Sequence, residues 1–105
     1  MAYTTIDDPS AHFQTALYTG NASDGLAITF DGNSDLQPDW VWIKPRSFSG
    51  FGVVTDTNRG LTKNIYPNSN DAEETNTNRI QSMNSDGFTI NNDSDTINKD
   101  SQTFA

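Results

Sequence analysis

The chain has 105 residues, of which 32% are hydrophobic, with no cysteine and a net charge of -8. That length holds one domain with a thin core, the lack of cysteine excludes disulfides and thiolate metal sites, and six scattered basic residues give no footprint for a nucleic-acid backbone. No run is apolar over the length of a bilayer, and Met1 to Pro9 lacks the basic and apolar regions of a secretion signal, so a soluble product made in a cytoplasm is expected.

Residues 1–10 read as an extended arm. Thr4, Thr5 and Ile6 favour extended backbone, and Asp7-Asp8-Pro9 stops any regular element. Phe13–Thr19 alternates, with Phe13, Thr15 and Leu17 on one side, and Leu26–Phe30 repeats the pattern with Leu26, Ile28 and Phe30. Gly20-Asn21 and Asp24-Gly25 bracket the connection, which predicts a hairpin between these two strands. After the loop Asp31–Asp35, Trp40–Lys44 combines β-branched and aromatic residues without glycine and predicts the central strand. Val41 and Ile43 share one face and Trp40 and Trp42 the other, and both faces call for cover.

Further strands are predicted at Phe51–Thr55 and Leu61–Tyr66, separated by the turn residues Asp56–Gly60, where Gly60 can take positive φ. Residues 67–77 read as a polar loop with at most one capped helical turn after Asn70. Arg79–Met83 and Phe88–Asn91 flank Ser85-Asp86-Gly87, a hairpin signal in which both Asp86 and Gly87 take positive φ. Gln102–Ala105 resembles the first half of a strand. Short strands at regular spacing with almost no helix predict an all-β, antiparallel β-sandwich spanning residues 11–105, completed by another segment or subunit at its last edge.

Five stretches in order carry a resemblance over nearly the whole chain: Tyr3–Ser10, Phe13–Gly20, Gln37–Lys44, Asp56–Gly60 and Ser85–Phe88. Together they resemble a family of virion structural proteins of marine bacteriophages, often tail-fibre-like, with a concanavalin-like jelly-roll domain. The resemblance implies a particle component on the tail, the baseplate or the capsid, and it supplies no catalytic residues.

On the residues themselves, Trp40 and Trp42 are the leading binding candidates. They form either core or subunit interface, the favoured reading, or a stacking platform for a sugar of the host surface, to which Tyr18, Phe48 and Phe51 could add. Tyr3, Ile6 and Phe104 are the expected contacts to other subunits. Asp31, Asn33 and Asp35 occupy the first ligand positions of a calcium loop, but Leu36 and Trp42 stand where its glycine and glutamate belong, which leaves only a loose surface site. A second cluster of hard oxygens lies at Asn91–Asp95. His12 is the single histidine, and no serine has a nucleophile motif around it. Adjacent acids such as Asp7-Asp8 and Glu73-Glu74 point apart in extended chain, and Asp56 with Arg59 reads as a turn brace. The expectation is a non-enzymatic virion protein without cofactor, docked on other virion proteins and on copies of itself. A glycan-binding adhesion module and a capsid decoration protein are the alternatives.

Overall fold

The computed structural model describes residues 5–105. Nine short strands follow a single 3-10 turn at Pro9–Ala11: β1 (Tyr18–Thr19), β2 (Leu26–Thr29), β3 (Trp40–Ile43), β4 (Val53–Asp56), β5 (Lys63–Asn64), β6 (Glu74–Thr75), β7 (Ile80–Asn84), β8 (Gly87–Ile90) and β9 (Thr103–Phe104). The chain is all-β, and every ladder between these strands is antiparallel. The sheets are small and open: β2-β8-β7, β3-β4, β1-β9 and β5-β6. Single bridges join some of them, Pro45 to Phe104 between the end of β3 and β9, and Val54 to Ile65 between β4 and the end of β5.

One apolar cluster holds these pieces together. Ile28, Val41, Ile43, Val53, Ile80, Phe88, Ile90, Ile97 and Phe104 are buried in it, and Tyr18, Leu26, Phe30, Phe48 and Tyr66 pack around it. Alternation decides which residues enter. Val41 and Ile43 are 7% and 2% exposed, while Trp40 and Trp42 on the other face of β3 are 51% and 53% exposed. The core reading of the two tryptophans is therefore corrected. No second layer of this chain covers their face among the described residues, although Trp42 lies so close over Gly52 that a Cβ there would stand 2.7 Å from its Nε1.

The hairpin expected between Phe13–Thr19 and Leu26–Phe30 does not form. Only Tyr18–Thr19 is strand, paired with β9, while β2 pairs with β8. The cause is Asn98, which is fully buried. Its Oδ1 accepts from the Asn21 N–H at 2.8 Å, its Nδ2 donates to the Ser23 carbonyl at 2.9 Å, and its own carbonyl accepts from the Ala22 N–H at 2.9 Å. The connection wraps around this one amide instead of turning β2 back onto β1.

The β7-β8 hairpin does form, with Asn84 opposite Gly87. Its loop differs from the expected one: of its residues only Gly87 has positive φ, at 142°, and Asp86 does not. Asp86 instead caps the approach of other segments, accepting from the Leu36 N–H through its side chain and from the Phe30 N–H through its carbonyl. In residues 67–77 no helical turn occurs, and Glu74–Thr75 pairs with β5. The predicted strand Leu61–Tyr66 shrinks to Lys63–Asn64 plus the Ile65 bridge.

At the end of the expected arm, Asp8 caps the 3-10 turn and its carboxylate accepts from the Ser34 hydroxyl at 2.5 Å. Gln14 adds bonds to the Ser34 carbonyl and from the Gly32 N–H. Residues 8–14 are thus fastened to the loop before β3. The strand at the C-terminal side is paired on both flanks: β9 lies between β1 and Lys44–Arg46.

Candidate functional site

A groove of about 680 Å3 runs along β3. One wall is Leu36–Lys44 and the other is His12–Ala16 with Tyr18; Phe30 and Phe88 lie between them, and Ala105 closes one end. The lining is mainly apolar, with His12, Gln37, Asp39 and Lys44 supplying polar groups. Trp40 and Trp42 stand on its rim with ring centroids 6.3 Å apart and an interplanar angle of 80°. Phe13 faces them from the other wall, and Phe13 and Leu17 are each 67% exposed. This segment keeps the predicted alternation: Ala16 and Tyr18 pack on the core, and the Phe13 and Leu17 side looks outward.

Tyr18 lines the inner end of the groove, where it stacks on Phe104 at 5.0 Å and 14° while its hydroxyl donates to the Ile97 carbonyl at 2.7 Å. Burial, with the Asp93 charge as a lesser cause, raises its pKa well above that of a free phenol. Phe48 packs edge-on against Phe104, and Phe51 is half-exposed against Tyr66; neither lines the groove. Phe104, expected at a subunit contact, is completely buried, so its side chain serves this chain's own core. Ile6 is exposed, and Tyr3 lies outside the described residues.

Asp31, Asn33 and Asp35 are all exposed on their loop, and no group of three acidic, histidine or cysteine side chains converges on a metal-sized site among the described residues. In the second oxygen cluster, Asp93 is committed to Arg79 at 2.6 Å and Asn91 accepts through its carbonyl from Asn98. Asp56 and Arg59 do brace a turn: the Arg59 N–H and Nε donate to the Asp56 carboxylate at 2.8 and 2.7 Å. The Arg59 backbone bond, then its side-chain bond, hold Asp56 below the usual carboxylate range. No helix among the described residues is long and apolar enough to cross a membrane.

Sequence reasoning missed a buried polar cluster on the far side of the core. Arg79 is 5% exposed, its Nε donates to Asp93, and its Nη1 donates to the Tyr66 hydroxyl at 2.7 Å and to Glu74 at 3.0 Å. The Tyr66 hydroxyl donates in turn to the same Glu74 carboxylate, and the guanidinium lies over the Tyr66 ring. Burial opposes the Arg79 charge, but the bonds to Asp93 and Tyr66 outweigh it and its pKa is raised. The spacing of these four residues follows no motif, so only the folded chain brings them together. Arg79, Tyr66, Glu74 and Asp93 are all bonded within this cluster, which braces the fold, whereas the groove presents open apolar surface.

The described residues thus form a small, open all-β domain with an apolar groove edged by an exposed tryptophan pair. Residues 8–105 match the family model described as Domain of unknown function (DUF7483), and the chain belongs to that family. No curated protein and no solved structure matches it.

Proposed function

We propose that the domain is a non-enzymatic structural module of a bacteriophage particle, of the tail-fibre or tail-associated kind, that docks on other virion proteins and on copies of itself. Its architecture in this reading is an antiparallel sandwich of the concanavalin-like jelly-roll type. The resemblance of five ordered stretches to virion proteins supports the setting. The observation that carries the docking role is the outward row of Trp40, Trp42 and Phe13 lining one groove, each more than half exposed. Apolar rings held bare on a rigid strand cost solubility and favour burial against a partner.

The test is localisation. In the phage that encodes the chain, gold-labelled antibody against it is expected on the tail of purified particles, and its absence from particles overturns the reading. In light scattering the chain is expected to associate with rising concentration, and the Trp40→Ala/Trp42→Ala double variant to stay monomeric with little change in melting. A second reading, adhesion to a host glycan, is favoured by the two rings with Gln37 and Asp39 beside them. Binding on a glycan array that Trp42→Ala abolishes would select it.

A further inference from the structure

The outer face of β3 carries opposite charges at its two ends, with Trp40 and Trp42 between them. By alternation Lys44 projects to the tryptophan side. Its stem and the Trp42 indole close over one glycine: a Cβ on Gly52 would stand 2.7 Å from Trp42 Nε1 and 3.5 Å from Lys44 Cδ. The Lys44 ammonium donates to the Gly50 carbonyl, and past the buried Pro45 comes the exposed Arg46. Neither cation is ion-paired among the described residues. The Trp40 end is acidic. Asp39 precedes it, exposed, and its carboxylate has no partner among the described residues. Asp56 stands across the ladder from Trp40 and so shares its face, and together with Glu73 it sets two carboxylates around the one guanidinium of Arg59.

Such a face is complementary to itself in one orientation. Closed dimers of identical chains have a two-fold axis, and two sheets meeting face to face can place it along the strands or across them. An axis along β3 lays the strands parallel and sets Lys44 against Lys44 and Asp39 against Asp39 of the other copy. An axis across β3 lays them antiparallel. With that axis between Val41 and Trp42, Lys44 of each copy lies over Asp39 of the other. In the same register the four indoles alternate along the seam at intervals of about 3.4 Å, so the rings interleave instead of colliding.

We infer that the tryptophan face is a two-fold interface between two copies of this chain, with β3 antiparallel to β3 and Lys44 of each copy facing Asp39 of the other. The inference rests on the docking reading and adds to it the identity and orientation of one partner. A second copy is the occupant because the face holds both signs, and its own rotation across the strand brings them together. The net charge of -8 opposes approach through most other surfaces of two copies. The indoles supply the attraction, since exposed ion pairs contribute little. The charges choose the orientation, since like charges set against each other exclude the parallel one.

Sedimentation equilibrium at about 0.15 M salt compares the native chain with Lys44→Glu, with Asp39→Lys and with an equimolar mixture of the two variants. Both side chains are exposed, so the variants keep the fold. Each reversal alone is expected to weaken self-association by at least about fivefold, because it sets like charges together at both ends of the seam. Asp39→Lys is the sharper probe: it makes an acidic chain less negative, so net repulsion alone would give tighter association. The mixture is expected to regain the native affinity as a mixed dimer, identified by a mass tag on one variant. Association indifferent to the reversals, tightened by Asp39→Lys, or not recovered in the mixture overturns the proposal. The docking reading then still stands wherever Trp40→Ala/Trp42→Ala abolishes association. Tighter pairing of native chain with Lys44→Glu than of native chain with itself reveals the parallel dimer and also overturns it. A native chain that stays monomeric up to about 1 mM overturns docking on copies and this proposal together, and leaves the face to a different virion protein.

Discussion

Arg79 is the single residue whose loss the fold should feel most among the charged ones. It is almost completely buried and its partner Asp93 is nearly so, which means that removing the guanidinium leaves an uncompensated carboxylate in a place water hardly reaches. Arg79→Leu is expected to cost about 3 kcal/mol or more in urea unfolding. Arg79→Lys keeps the charge but not the fork that reaches Asp93, Tyr66 and Glu74 together, so its cost should fall between the native chain and the leucine variant. Asp56 makes a contrasting case at the surface. Its pKa in the folded chain is depressed below the ordinary 3.8, so its contribution is present above that value and is lost as pH falls through the folded one. Asp56→Ala should therefore be less stable than the native chain at neutral pH, with the gap closing as pH falls below the ordinary carboxylate range, as measured by urea midpoints across the acid range.

At the level of elements, β3 reverses the usual ranking by size. Ile43→Ala empties a filled core position and is expected to cost about 2–5 kcal/mol, whereas Trp42→Ala removes a side chain already half in water and should cost less despite its greater bulk. The β7-β8 turn gives a second ordering. Gly87 has φ of 142°, and an added Cβ would stand 2.0 Å from the Ile28 carbonyl oxygen, so the neighbouring strand itself must shift. Gly25 also has positive φ but open space around it, so Gly25→Ala carries only the backbone penalty of about 1–2 kcal/mol and Gly87→Ala clearly more, in thermal melts of the two. These elements also show what could be read in advance. The alternation of Trp40–Ile43 and the Ser85-Asp86-Gly87 turn are local signals, and the strand and hairpin followed. Pairing partners are not local: nothing around residues 20–25 announces that Asn98, more than seventy positions away, will hold the connection. Likewise the alternation of Phe13–Leu17 was legible, but its more apolar side faces outward because Tyr18 is fixed inward by Phe104, a partner the segment's own pattern does not name.

For the whole molecule, size and charge frame how the open face behaves. The radius of gyration is 14.3 Å, above the ~13 Å of a compact chain of this length, as suits small, open sheets. A net charge of -8 makes copies of the chain repel one another, while the tryptophan row draws apolar surfaces together, and the two forces respond oppositely to salt. Raising ionic strength from about 0.02 M to about 0.5 M shortens the screening length from tens of ångströms to a few and removes most of the repulsion, leaving the apolar attraction untouched or strengthened. Self-association through the Trp40–Trp42 face should accordingly grow with salt, seen as a steeper rise of the weight-average sedimentation coefficient with protein concentration. Trp40→Ala/Trp42→Ala should abolish that rise at both salt concentrations. Association that instead weakened with salt would place the contact on charged surface, away from β3, and would detach the docking role from the tryptophan row.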